Sequence, residues 1–238
     1  RICTDIENCA GDTSIALSMI SDDSFYMEMK KDYAPEMVTA FIRLNGATVG
    51  CVANRSEVYT DGEKTATYDA ALTAAGCEKA AAFVNFCNAF EIPVLTLVNV
   101  DGYKNCKCNE KKIAKAAARL TYAFANADVP KVTVVVGKAN GTAGLTMNSK
   151  SIGSDIVYAW KNAKIGVMEA APAVKIMYAD EIAKADNAAA LINEKAAQYN
   201  EMQASALAAA KRGYVDDIIE ACDTRKRVIA AFEMLFTK

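Results

Sequence analysis

An α/β fold with parallel strands is what the sequence predicts, on three observations. Apolar runs of strand length alternate with segments of helical spacing from about residue 37 onward. The runs at 94–100 and 132–136 are almost continuously apolar, the pattern of strands buried on both faces. Pro93 and Pro130 stand immediately before or near those runs, where each ends the preceding helix. No Pro/Gly/Ser-rich tract divides the chain, so a single domain over 1–238 is expected.

The first forty residues are mixed, with Asp22 and Asp23 opening a short segment over 24–31. A strand is predicted over 37–44, a two-residue turn at Asn45-Gly46, and the returning strand over 48–54, since Asn-Gly between β-rich runs is a strong hairpin signal. Residues 55–75 are polar and turn-rich and are expected to form a surface loop. Ala80, Phe83, Val84, Cys87 and Phe90 keep helical spacing within a helix over 77–90, and Glu91-Ile92-Pro93 ends it ahead of the strand at 94–100. A lysine-rich loop leads into a helix near 110–127, broken at Asp128-Val129-Pro130 before the strand at 132–136. A glycine-dense turn follows over 137–144, then short strands at 156–160 and 164–168. From 170 to about 210 the chain is Ala-rich and helical, with a strand over 214–219 and a last helix from 223.

Composition excludes several functions. The chain is 53% hydrophobic and 24% charged, enough to bury a core and unlike a disordered segment. It has no run of eighteen apolar residues, so no membrane-spanning helix is predicted. The start, Arg1-Ile2-Cys3-Thr4-Asp5, carries neither an initiator Met nor a secretion signal and reads as the edge of a longer chain. The net charge of −2 provides no field that would gather nucleic acid. Forty-five alanines point to closely packed helices. Histidine is absent, which removes Ser-His-Asp triads and His-ligated zinc from consideration.

The eight cysteines have irregular spacings, and a chain of this size needs no disulfide staples. Cys51, in Val49-Gly50-Cys51-Val52-Ala53, and Cys87, four after Phe83, read as small core residues. Cys106-Lys107-Cys108 alone has ligand-like proximity, but no second pair completes a four-ligand set, so no metal site is assigned and the thiols are expected to be reduced, in a cytoplasm. The cationic stretch 104–119 fits a solvated helix face, a contact for CoA phosphate, or a contact for the acidic flank of a carrier domain. Asp216-Asp217 reads as a strand end ahead of a helix capped by Asp223 or Thr224, and Trp160 as a core residue.

The glycine turn is the candidate site. An apolar strand running into glycines and then a helix presents free backbone N–H groups, which hold a phosphate or a developing oxyanion. The nucleotide-binding loop needs Gly-Lys at its end, whereas Gly137-Lys138 stands at the beginning, and glycines at 137, 141 and 144 do not match the dinucleotide pattern. An oxyanion hole and a plain packing turn both remain open.

Ordered blocks through the chain resemble the C-terminal half of the carboxyltransferase component of biotin-dependent acyl-CoA carboxylases and decarboxylases. They include Asp32-Tyr33-Ala34, Met37-Val38-Thr39-Ala40-Phe41, Val49-Gly50-Cys51-Val52-Ala53-Asn54, Phe86-Cys87-Asn88-Ala89-Phe90 and Ile92-Pro93-Val94-Leu95-Thr96. Further on come Val129-Pro130-Lys131-Val132-Thr133-Val134, Met147-Asn148-Ser149-Lys150, Tyr158-Ala159-Trp160 and Arg212-Gly213-Tyr214-Val215-Asp216-Asp217-Ile218-Ile219 with Asp223-Thr224-Arg225. The resemblance covers nearly the whole chain from about residue 20.

That resemblance implies the crotonase (ClpP-like) fold, a superhelical stack of ββα units. It implies transfer of a carboxyl group between carboxybiotin on a separate carrier protein and a short acyl-CoA. The backbone N–H groups of Thr142 and Ala143 would form the biotin-side oxyanion hole, with Gly141, Gly144 and Leu145 beside biotin. Implied partners are an N-terminal-type carboxyltransferase half, the biotin carrier protein, and a biotin carboxylase or membrane decarboxylase subunit, in an oligomer. Such chemistry suits a chain without histidine, because backbone donors stabilise charge with no side-chain base. Several positions depart from the family pattern: Thr142 replaces a glycine, Leu145 an often acidic residue, Asp101-Gly102-Tyr103 a Pro-Gly-Phe, Glu169 and Pro172 two glycines, and Lys115-Ala116 an Arg-His pair. Two other readings follow, a non-catalytic crotonase-fold assembly domain and a stand-alone acyl-CoA hydrolase or decarboxylase.

Overall fold

The computed structural model describes residues 2–60, 62–185 and 187–238. The chain enters through a helix absent from the sequence expectation, α1 (Thr13–Ile20), whose N-cap Asp12 accepts from the Ser14 amide at 3.1 Å. A short strand, β1 (Tyr26–Glu28), precedes the expected hairpin of β2 (Met37–Leu44) and β3 (Ala47–Asn54). Asn45 and Gly46 hold φ of 51° and 81°, the left-handed pair that a type I′ turn requires. Residues 55–75 are not a plain loop. They form a hairpin, β4 (Glu57–Thr60) and β5 (Glu63–Thr67), and a short strand, β6 (Ala71–Leu72). Neither hairpin strand has a buried residue, so the alternation that marks a half-buried strand is missing from its sequence.

The helix α2 (Ala74–Ala89) begins at Thr73, whose hydroxyl accepts from the Gly76 amide at 2.9 Å, three residues before the sequence-based start. Next come β7 (Val94–Val100), β8 (Gly102–Tyr103), α3 (Lys107–Asn126), β9 (Lys131–Asn140) and α4 (Gly141–Thr146). Then follow β10 (Ile156–Trp160), β11 (Lys164–Gly166) and α5 (Ala170–Met177). The Ala-rich stretch is divided further into α6 (Ala179–Lys184), α7 (Ala188–Tyr199), a π-helical turn at Asn200–Ala204 and α8 (Ala206–Lys211). Only Asp217–Ile219 of the predicted 214–219 strand pairs, as β12, and α9 (Thr224–Met234) closes the chain. Strands followed by a helix recur along the chain: β2 and β3, with β4 to β6 inserted, lead to α2, then come β7–β8–α3 and, after β9 and α4, β10–β11–α5.

The main sheet runs β1-β2-β3-β7-β9-β10-β12, antiparallel across β1, β2 and β3 and parallel from β3 to β12. One edge of β9 takes β7, while the other is shared. Its first part pairs with β10 (Ile156↔Val132 to Ala159↔Val135) and its last with β11 (Lys164↔Lys138 to Gly166↔Asn140). The sheet is covered on both faces, as continuous apolar strands require. In β7, Val94, Val98 and Val100 join the cluster beneath α2 and α3, whereas Leu95 and Leu97 join the cluster with α1 and α9. Each such fully buried aliphatic side chain contributes about 1.5–3 kcal/mol.

Cys51 and Cys87 lie in these two cores, one on each face of β3. Gly50 lets α2 approach, since a Cβ there would stand 2.4 Å from the Cys87 Sγ. Charge is also buried: Arg55 pairs with Glu28 at 2.9 Å, and the Lys79 Nζ donates to the Met37 carbonyl at 2.7 Å. Trp160 is buried and donates to the Thr224 hydroxyl at 2.9 Å. Asp216 accepts from the Val157 amide and from Lys150, both at 2.8 Å, a joint between β10 and the segment leading to β12. Lys111, Lys112 and Lys115 on α3 are exposed, with Ala116, Leu120, Ala123 and Phe124 turned inward. Among the described residues, no helix is long and apolar enough to cross a membrane.

Candidate active site

The site grows from the end of β9. The predicted turn over 137–144 is half strand: Gly137 to Asn140 remain in β9, and the chain turns only at Gly141. Gly137 is needed for packing, because a Cβ would meet the Asn99 Oδ1 at 2.4 Å. That Oδ1 accepts from the Lys138 amide at 3.0 Å, while the Asn99 Nδ2 donates to the Ala10 carbonyl at 2.8 Å. Gly141 has φ +57° and makes the reversal that starts α4, a conformation that favours glycine. Gly144 brings α4 onto its own strand, where a Cβ would lie 2.7 Å from the Ala139 carbonyl carbon.

Thr142 and Ala143 are thus the second and third residues of α4, positions whose amides have no acceptor four residues back within the helix. Neither amide has a hydrogen-bond partner outside the helix among the described residues. Both residues line a cavity of about 840 Å³, together with Gly141, Gly144 and Leu145. Ala143 is buried, and Thr142 and Leu145 are exposed. All five residues singled out from the sequence therefore share one wall. Tyr199, Gln203, Arg212 and Tyr214 also line the cavity.

Hydrogen bonds fix that wall. The Thr146 hydroxyl donates to the Thr142 carbonyl at 2.9 Å and accepts from the Tyr103 hydroxyl at 3.1 Å, tying α4 to β8. Asn140 donates through Nδ2 to the Asp101 Oδ1 at 2.9 Å, and Lys138 reaches the Asp101 Oδ2 at 2.8 Å and Glu169 on its other side. Partial burial acts to lower the Lys138 pKa, but its hydrogen bonds to Asp101 and Glu169 prevail and leave it raised. Lys138 therefore remains an ammonium near neutral pH and cannot serve as a base. It offsets the Asp101 carboxylate, which otherwise would oppose an anion at the start of α4.

Sequence reasoning missed Lys138, Asn140 and Asp101 as site residues. Lys138 and Asn140 lie on β9 and Asp101 just past the end of β7, 37 and 39 residues away in sequence, so no local spacing joins them. Asp101-Gly102-Tyr103 was visible only as a departure from a family pattern. The cavity offers backbone amides, the Asp101 carboxylate paired with Lys138, several hydroxyls, the cations Lys150 and Arg212, and an apolar wall at Val98, Val135 and Met147. Such a set suits binding an uncharged group whose oxygen gains negative charge during reaction. Among the described residues, no group of three or more His, Cys, Asp or Glu side chains is arranged to hold a metal.

A family model described as carboxyl transferase domain matches residues 4–238. The methylmalonyl-CoA carboxyltransferase 12S subunit of Propionibacterium freudenreichii subsp. shermanii is 39% identical over 228 residues, covering 95% of this chain and 42% of that protein. The methylmalonyl-CoA decarboxylase subunit alpha of Propionigenium modestum is 38% identical over 226 residues, covering 92% and 41%. The crystal structure of the transcarboxylase 12S hexamer assembly with hydrolysed methylmalonyl-CoA bound superposes with a TM-score of 0.87 at 40% identity, over 95% of this chain and 42% of that one. The geranyl-CoA carboxylase beta subunit of P. aeruginosa, at 24% identity and a TM-score of 0.80, bears on the fold alone. The chain spans about two fifths of the length of these relatives. With its strand–strand–helix units, its mixed sheet and a match running almost end to end, the chain belongs to the carboxyl transferase domain family and has the crotonase fold.

Proposed function

We propose that this chain is the C-terminal-type half of a biotin-dependent acyl-CoA carboxyltransferase and forms the biotin side of its active site. The observation that carries this reading is the pair of adjacent, unpartnered amides of Thr142 and Ala143 in the wall of the 840 Å³ cavity. Biotin, presented by a separate carrier protein, supplies the ureido nitrogen that carries the carboxyl group. Thr142 and Ala143 donate their N–H groups to the ureido oxygen and hold the negative charge that collects there. Gly141 and Gly144 let the backbone approach that closely, and Leu145 gives the ring an apolar neighbour. Asn140 and Lys138 restrain the Asp101 carboxylate away from that charge. The short acyl-CoA binds on an N-terminal-type half of the enzyme, so the site is complete only in an oligomer. A biotin carboxylase or a membrane decarboxylase subunit supplies or removes the carboxyl group at another site. Eight cysteines at irregular spacings, in a chain large enough to need no disulfide staples, support a cytoplasmic location.

The test is co-purification with the N-terminal-type half, then assay of methylmalonyl- or malonyl-CoA decarboxylation with free biotin. Thr142→Gly keeps the amide and should leave turnover within about tenfold, whereas Thr142→Pro removes it and should lower turnover on the order of 10²–10³. Circular dichroism must first show both variants folded. A folded Thr142→Pro enzyme as active as wild type would remove this amide from the site. Absence of turnover in every partnered form would favour the non-catalytic assembly role.

A further inference from the structure

Outside the cavity, the chemistry-bearing pair that the proposed function leaves unused stands at the start of α3. Cys106 is the N-cap residue of this 20-residue helix and Cys108 lies in its first turn, with their Sγ atoms 3.0 Å apart. Cys106 is half-buried and Cys108 exposed, so small molecules reach both. The other environments differ sharply. Burial pushes the thiols of Cys77 and Cys87 up to about 12 and that of Cys51 well above its usual value. At Cys106 the direction reverses: the neighbouring Cys108 thiol, then the Asn109 amide and the Lys104 charge, hold it below the ordinary thiol value. A long helix adds partial positive charge at this end, which favours a thiolate.

Geometry agrees with reactivity. The two sulfurs, in an i, i+2 relation at the helix start, stand 3.0 Å apart, within about 1 Å of a disulfide bond length. The closed ring is short and solvent-facing, properties of disulfides that open again readily rather than of structural staples. Asn109 secures the surrounding backbone: its Oδ1 accepts from the Ala74 amide at 2.7 Å and its Nδ2 donates to the Lys104 carbonyl at 2.8 Å. The pair is therefore presented from a fixed frame.

We propose that Cys106 and Cys108 form a thiol–disulfide exchange site whose reaction partner is a small-molecule disulfide. The Cys106 thiolate attacks one sulfur of that disulfide, forming a mixed disulfide and releasing the first thiolate. Cys108 gives its proton to solvent, and its sulfur attacks the Cys106 Sγ, forming the internal disulfide and releasing the second thiolate. Two electrons pass from the cysteine sulfurs to the small disulfide, which leaves as two thiols. Excess small thiol reverses both steps.

The experiment equilibrates the full assembled protein in graded mixtures of oxidised and reduced glutathione, quenches with acid, alkylates free thiols and maps peptides by mass spectrometry. An internal Cys106–Cys108 disulfide should appear at mixtures that leave Cys51, Cys77 and Cys87 fully alkylated, and should disappear in excess reduced glutathione. Failure to find it at the most oxidising mixture, or single glutathione adducts without it, would overturn the proposal. Single variants assign the attacking sulfur. Cys108→Ser should take up glutathione severalfold faster than Cys106→Ser at pH 7, and equal rates would remove Cys106 from that role.

Discussion

The layer formed by β7 and α3 and the helical run from α5 to α7 handle apolar surface in opposite ways. In the first, Val94, Leu120 and Phe124 are fully buried, and the polar face of α3 carries its lysines into solvent. In the second, α6 and α7 bury no residue, while Ile176 is 69% and Met177 60% exposed. What holds these helices is local: Lys195 reaches Glu181 at 3.7 Å and lies over the Tyr178 ring at 4.5 Å. Exposed ion pairs of this kind contribute little, on the order of 0–1 kcal/mol. Stability is therefore concentrated in the sheet and its two covers, and the helices near the cavity are the first candidates to open.

That contrast can be broken by mutation. Phe124→Ala leaves a large cavity beneath α3 and should cost about 3–5 kcal/mol in denaturant unfolding. A loss under 1 kcal/mol would mean that this layer is looser than its burial indicates. The next test uses pH. Burial pushes the Lys79 ammonium down to about 8. Below that pH folded and unfolded chains are both protonated, and the folded state bears the desolvation cost. Between pH 8 and the ordinary lysine range only the unfolded chain keeps the proton, so stability rises with pH. Compared with Lys79→Met, the wild type should gain on the order of 1–3 kcal/mol between about pH 8 and 10. A parallel pair of pH profiles would refute the shift.

Gly144→Ala sharpens the comparison at the cavity itself. The new methyl meets the Ala139 backbone, which has no rotamer with which to yield, and should cost about 1–3 kcal/mol in stability. Unchanged stability would show that α4 can lift from β9. The smallest effect is expected at Ile176→Ala, within about 0.5 kcal/mol, since the side chain gives up almost no buried surface. A larger loss in the presence of partner chains than in the isolated chain would show that assembly covers this residue.

The sequence exposes most clearly what packing decides. Val132, Val134, Val135 and Val136 read as a doubly buried strand because they are one, and Asn45-Gly46 reads as a turn because few other pairs accept two positive φ angles. Gly137 misleads for a physical reason: a glycine that makes room for the Asn99 side chain looks, in one dimension, like a glycine that turns the chain. The β4–β5 hairpin has no buried side to reveal it, although Gly62 sits in its turn with φ +84°. In α1 the buried Ala16, Leu17 and Ile20 carry helical spacing after the cap at Asp12, a signal short enough to pass as mixed sequence. Along the cavity wall, the contiguous residues Gly141 to Leu145 were legible as a strand–turn–helix junction. The Asp101–Lys138–Asn140 cluster was not, because it exists only once β9 lies beside the end of β7.

The shared edge of β9 has a consequence for how this architecture tolerates change in length. Because β10 and β11 occupy successive stretches of one edge, the link from Lys161 to Ala163 works as a spacer between two fixed docking points. Val136 and Gly137 are the span it must bridge on that edge. Residues added or removed in the spacer leave the β7–β9 pairing untouched and shift β11, whose Ile165 and Gly166 border the cavity. Cavity dimensions can thus drift by small insertions at the exposed Lys161-Asn162 end of this link while the sheet keeps its register, so that cavity shape becomes a variable almost independent of foldability.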